Sequence, residues 1–66
     1  MGRRNWLVTK RIQKKLSQKE LAEMVGISAP SYCLIENGKT NPTISHAKKI
    51  ANILRFNVLK FFEDRE

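Results

Sequence analysis

At 66 residues, 41% of them apolar, with a formal charge of +7, the chain has enough hydrophobe for one small core. A chain this short buries only about 60% of its unfolded surface, which leaves no room for an elaborate internal active site. One cysteine, one histidine and six acids exclude an internal disulfide, a zinc-spaced Cys/His set and an assembled triad, while the longest apolar run, 32–35, is too short for a signal peptide or a membrane span.

The expectation is therefore one cytoplasmic domain over residues 1–66, with no cofactor, metal, enzymatic activity, membrane contact or evident small-molecule ligand. Charge is unevenly spread. Arg3, Arg4, Lys10, Arg11, Lys14 and Lys15 fall in the first sixteen residues with no acid among them, as a polyanion partner would require.

Asn5 is a candidate cap for a first helix running to about Lys15, with Leu7, Val8, Arg11 and Ile12 on one broad face. Ser17 caps a second, short helix, and Glu20 follows at capping-box spacing. Leu21, Ala22 and Val25 line its inner side, and Gly26 stops it. Ser28 caps a third helix, which tolerates Pro30 in its first turn. At about 100° per residue, Ser31, Tyr32 and Ile35 share an inward arc, and Ala29, Pro30, Cys33, Leu34 and Asn37 share the outward one. Gly38 after Asn37 supplies a left-handed helix end.

A turn over 39–42 leads to Thr43, the cap of a fourth helix over 44–54 whose stripe is Ile44, Ala47, Ile50, Ala51 and Leu54. A last short helix is expected after Asn57, carrying Val58, Leu59, Phe61 and Phe62 ahead of a charged end at 63–66. Nothing alternates as a strand would, so the fold class is all-α, five helices.

Helices two and three carry a specific pattern. From Gln18, small Ala22 falls where two crossing helices touch, Gly26 sits in the turn, and Leu21, Val25, Ile27, Tyr32 and Ile35 fill inner positions. A helix-turn-helix makes these demands, although a plain helical hairpin stays open on spacing alone.

The segments "SQKELAEMVGIS" and "IENGKTNP", with the Ala47/Ile50/Ala51/Leu54 stripe, resemble the phage repressor and Cro-type helix-turn-helix family, five-helix repressor-like bundles that regulate transcription. The likeness covers about residues 6–62. The opening "NWL", Arg11 and the closing "FNVLKFF" are similar to small members found in phages and mobile elements.

The resemblance implies double-stranded DNA as partner and a repressor that places helix 28–37 in the major groove as a homodimer. It implies phosphate contacts from Ser17 at the second helix's N-terminus and from Asn37, Lys39, Thr40 and Asn41 in the following loop, and an internal ion pair between Arg11 and Glu36. Ser28, Ala29, Pro30, Cys33 and Leu34 would face base edges. Many relatives carry Gln at the position of Ala29 and Arg at that of Leu34, so this face lacks bidentate hydrogen-bonding reach and is left with apolar contacts such as thymine methyl groups. Gln18, with no Gln at position 29 to brace, is a further candidate for a base.

Arg3 and Arg4 are read as phosphate or minor-groove contacts, against the plainer reading of a basic terminus in solvent. Phe56, Leu59, Phe61 and Phe62 with Trp6 are read as a self-association surface, against Trp6 folding over the phenylalanines within one monomer. Cys33 is a small apolar filler and His46 a surface residue. A second function class remains open: an adaptor or antitoxin-like module that uses the uncharged third-helix face to bind protein.

Overall fold

The computed structural model describes residues 2–63; the charged residues 64–66 lie outside it. Five helices follow in order, α1 (Asn5–Gln13), α2 (Gln18–Val25), α3 (Ala29–Glu36), α4 (Ile44–Leu54) and α5 (Lys60–Glu63). The described residues contain no strand, so the fold is all-α. No helix among them is long and apolar enough to cross a membrane.

Most helix ends are set by short-range chemistry. Ser17 Oγ accepts from the Glu20 N–H at 3.0 Å and Glu20 Oε1 accepts from the Ser17 N–H at 2.9 Å, a reciprocal capping box that satisfies two amides left over at the start of α2. Ser28 Oγ and Thr43 Oγ1 accept from the N–H groups of Ser31 and His46 and start α3 and α4 in the same way. Gly38, at φ +76°, closes α3 with a pair of bonds in which the Lys39 N–H reaches the Leu34 carbonyl and the Gly38 N–H reaches that of Ile35.

Two ends depart from expectation. Asn5 is the first residue of α1 and does not cap it; Arg4 holds the cap position without a side-chain cap bond. The last helix is a single turn, because Asn57 Oδ1 accepts from the Leu59 N–H and holds 57–59 as a turn ahead of Lys60.

α2 packs on α3 and α4, and α1 packs on α3. Leu7, Leu21, Ala22, Val25, Tyr32, Ile35, Ala47, Ile50, Leu54 and Phe61 form the shared core. Ile44 and Ile12, both expected on inner faces, are instead well exposed. Ile44 opens α4 beyond the edge of the core, and Ile12 stands one residue before the end of α1.

Candidate nucleic-acid interface

The seam between α1 and α3 holds a fully buried carboxylate. Glu36 Oε2 accepts from Arg11 Nε at 2.6 Å and from the Tyr32 hydroxyl at 2.7 Å, while Oε1 accepts from Gln18 Nε2 at 2.8 Å and from Arg11 Nη2 at 3.4 Å. Burial pushes the Glu36 carboxyl up, but the donors of Arg11, Gln18 and Tyr32 outweigh it and hold it below the ordinary value. The Tyr32 phenol moves the other way, raised first by burial and then by Glu36. Arg11 is held in its charged form chiefly by its bond to Glu36 and also donates to the Leu16 carbonyl. The structure thus brings Arg11 and Glu36 together. It also turns the Gln18 amide onto Glu36 and so away from the base edge expected for it, because Arg11 and Tyr32 alone leave Oε1 with only a long contact.

This carboxylate sets the roll of α3. With Glu36 counted as polar, the periodicity centres the inner arc on Ser31, Tyr32 and Ile35; the buried set is Tyr32, Ile35 and Glu36, a rotation of roughly 45°. Ser31 consequently moves out to solvent, Ala29 and Cys33 become half-buried, and Pro30, Leu34 and Asn37 occupy the middle of the outward face. Ser28 is exposed at its start, its hydroxyl donating to Ser31 Oγ at 2.9 Å. Ser31 is therefore an outward residue that the sequence reading missed, and the signal for it was an acid at i+4 from an inward tyrosine.

Arg4 is likewise not where the sequence placed it. Only 4% exposed, its Nη1 donates to the carbonyls of Ile35 and Thr40, its Nη2 donates to Asn41 Oδ1, and its own N–H reaches the Glu36 carbonyl. A cation here satisfies carbonyls at the C-terminus of α3 and complements the negative end of its dipole. The guanidinium also lies 5.5 Å from the Phe61 ring centroid. Arg4 thereby ties the amino-terminal arm and the 39–41 loop to α3, while Arg3 stays exposed beside it. Gly38 completes the junction: any Cβ there would collide with the Gly2 carbonyl.

The exposed donors flank the α3 face. At the start of α2 the amides of Gln18 and Lys19 have no intrahelical acceptor, and the Ser17 hydroxyl keeps its hydrogen to donate. Beyond α3, Asn37, Lys39, Thr40 and Asn41 are all exposed. The bond from Arg4 to Asn41 Oδ1 leaves Asn41 Nδ2 pointing away as a donor. Asn37 Nδ2 donates to Cys33 Sγ at 3.4 Å.

The five residues read as a self-association surface divide. Trp6, Phe56 and Phe61 form an edge-to-face triad with centroids 5.1 to 5.6 Å apart, and Phe61 is buried. Trp6 thus folds over the phenylalanines within the monomer, since edge-to-face packing lets three rings share one small volume. Leu59 and Phe62 remain exposed, Phe62 bordering a small cleft with Asn41 and Pro42.

A family model described as helix-turn-helix (HTH_3) matches residues 7–61 of the chain. An uncharacterized HTH-type transcriptional regulator of Bacillus subtilis (strain 168), YqaF, is 39% identical over 61 residues, covering 92% of this chain and 80% of its own. An uncharacterized HTH-type transcriptional regulator of Archaeoglobus fulgidus is 38% identical over 53 residues, covering 77% of this chain and 76% of its own. With α2 and α3 joined through Gly26 inside the matched span, the chain belongs to the helix-turn-helix family.

Proposed function

We propose that the protein is a double-stranded DNA-binding transcriptional regulator that lays α3 in the major groove. The observation that carries this reading is the family match across 7–61, which supports reading α3 as the second helix of a motif whose second helix enters the groove. The geometry suits it: the middle of the outward α3 face is open, with exposed Lys39 just beyond its C-terminus and exposed Lys19 at the start of α2, next to the Gln18 that reaches Glu36. Ser17 with the first amides of α2 would take one phosphate, and Asn37, Lys39, Thr40 and Asn41 would take the backbone across the groove, joined by Arg3.

The finer parts of the proposal are repression, homodimer binding to two half-sites, and carriage by a phage or mobile element. A module of this size covers little DNA alone, and Leu59 and Phe62 offer exposed apolar surface for a second copy. The resemblance of "NWL" and "FNVLKFF" to phage and mobile-element members supports the last part. Fluorescence anisotropy of mixed-sequence duplexes from low to moderate salt tests the core of the reading. Binding that falls steeply with salt is expected; no complex even at low ionic strength overturns it. One observation favours a second reading, a protein-binding adaptor or antitoxin-like module: α3 exposes no charged side chain, and that function predicts retention on heparin with little salt dependence.

A further inference from the structure

The face that α3 would present to a groove is depleted of hydrogen-bonding reach by the structure as well as by the sequence. Pro30 and Leu34 stand exposed at its middle, with half-buried Ala29 and Cys33 at its margin. The polar groups nearby are partly engaged: the Ser28 hydroxyl donates to Ser31, one Gln18 amide hydrogen goes to Glu36, and Asn37 at the C-terminal end of the face gives one to Cys33 and is a proposed phosphate contact. Charge comes from exposed Lys19 on α2 and Lys39 beyond α3, so attraction to a polyanion and discrimination among bases fall to different residues.

In the major groove, one base-edge feature rewards an apolar side chain: the methyl group on pyrimidine C5. Resting on the reading of α3 as the groove helix, we infer that Pro30 and Leu34 read pyrimidine C5-methyl groups, so that 5-methylcytosine replaces thymine beneath them and methylation of cytosine strengthens binding. Thymine and 5-methylcytosine differ at position 4, an acceptor in one and a donor in the other, and no carbon of proline or leucine responds to that difference. The purine opposite also changes, from adenine to guanine. Ser31, the exposed hydroxyl on this side, both donates and accepts and so tolerates either.

The test alters the DNA and leaves the protein intact. A tight-binding duplex is selected from a random pool with the full chain, and its pyrimidines are then exchanged singly. Thymine to uracil removes only the methyl group and is expected to weaken binding about fourfold at each position lying beneath Pro30 or Leu34, the effect of exposing one buried methyl. At those positions a cytosine–guanine pair should bind about fourfold more weakly than thymine–adenine, and a 5-methylcytosine–guanine pair should regain thymine affinity to within about twofold. Leu34→Ala should abolish the uracil effect at one such position without altering the salt slope. Equal binding of thymine and uracil duplexes at every position overturns the inference while leaving the DNA-binding reading standing, as does 5-methylcytosine behaving like cytosine. Absence of any complex removes the DNA-binding reading and the inference with it.

Discussion

Glu36→Gln is the change from which the structure predicts most. The carboxylate is fully buried and accepts four hydrogen bonds, and its ion-pair partner Arg11 is 12% exposed. The amide keeps the shape of the side chain but replaces one acceptor by a donor. That donor must face either Gln18 and Arg11 or Tyr32 and Arg11, which are donors already. Arg11 also loses its counter-charge. Removing one partner of a buried pair costs about 3–5 kcal/mol. The remaining bond from Arg11 to the Leu16 carbonyl and its slight exposure put the expectation near the lower end, about 3 kcal/mol. A chain of this length has a total stability of about 3–10 kcal/mol, so the variant should stand close to unfolding at room temperature.

Thermal melts followed by circular dichroism at pH 7 should show Tm lower by at least about 12 °C. An acid titration supplies the second half of the argument. The folded carboxyl is held below its ordinary value of 4.5, so its contribution is complete above that pH and disappears as pH falls through the lowered folded value. Wild type should therefore lose stability faster than the variant on acidification below 4.5, and the two curves should converge. Arg11→Met combined with Glu36→Gln should cost less than the sum of the single changes, because no charge is left buried alone. A Tm shift under about 4 °C, with parallel acid limbs, would refute the account of this seam.

The alkaline limb belongs to Tyr32, the single tyrosine: its raised phenol gives stability that is complete below 10 and lost above it, so tyrosinate absorbance should rise together with unfolding, and an earlier, separate rise would refute its burial. Gly26→Ala and Gly38→Ala both place a side chain at positive φ, but space at Gly26 is open whereas Gly38 meets the Gly2 carbonyl. Urea midpoints should show about 1 kcal/mol lost at Gly26 and at least twice that at Gly38; equal losses would mean the arm is not packed on α3. Arg3→Ala should reduce the salt slope of DNA binding by about 0.9, whereas Arg4→Met should leave the slope unchanged and lower stability by about 2 kcal/mol. The opposite pattern would put Arg4 on phosphate. Leu59→Glu and Phe62→Glu should change stability by under about 0.5 kcal/mol and, in sedimentation, dissociate the proposed dimer; persistence of a dimer would place its interface elsewhere.

What was legible in the sequence separates by the range of the interaction that decides it. Ser17 with Glu20, Ser28, Thr43, Gly26 and Gly38 mark helix ends through contacts within a few residues, and those ends stand within a residue or so of where periodicity places them. The composition of Trp6, Phe56 and Phe61 shows aromatic surface needing cover but does not say whether the cover comes from the same copy. Hydropathy also sends charge outward. It therefore misjudges Arg4, which turns inward ahead of α1, Ile12, which is turned out although it was placed on one face with Leu7 and Arg11, and α3, where Glu36 displaces Ser31. The usable signal was an unusual pair: a lone arginine on the apolar arc of one helix and a lone acid on that of another.

The misjudged roll of α3 has one cause, and it bears directly on recognition. Glu36 carries a full charge into the interior and remains there because Arg11, Gln18 and Tyr32 surround it. Holding it rolls α3 by roughly 45° and takes the Gln18 amide away from the groove. The choice of Pro30, Leu34 and Asn37 as the central outward residues is thus made by a carboxylate on the opposite side of the helix, which no base would touch. It follows that substitutions at Glu36 or Arg11 that still fold should change which bases the protein prefers, and not only how stable it is. That coupling follows from packing, because a helix cannot bury a different arc without exposing a different one.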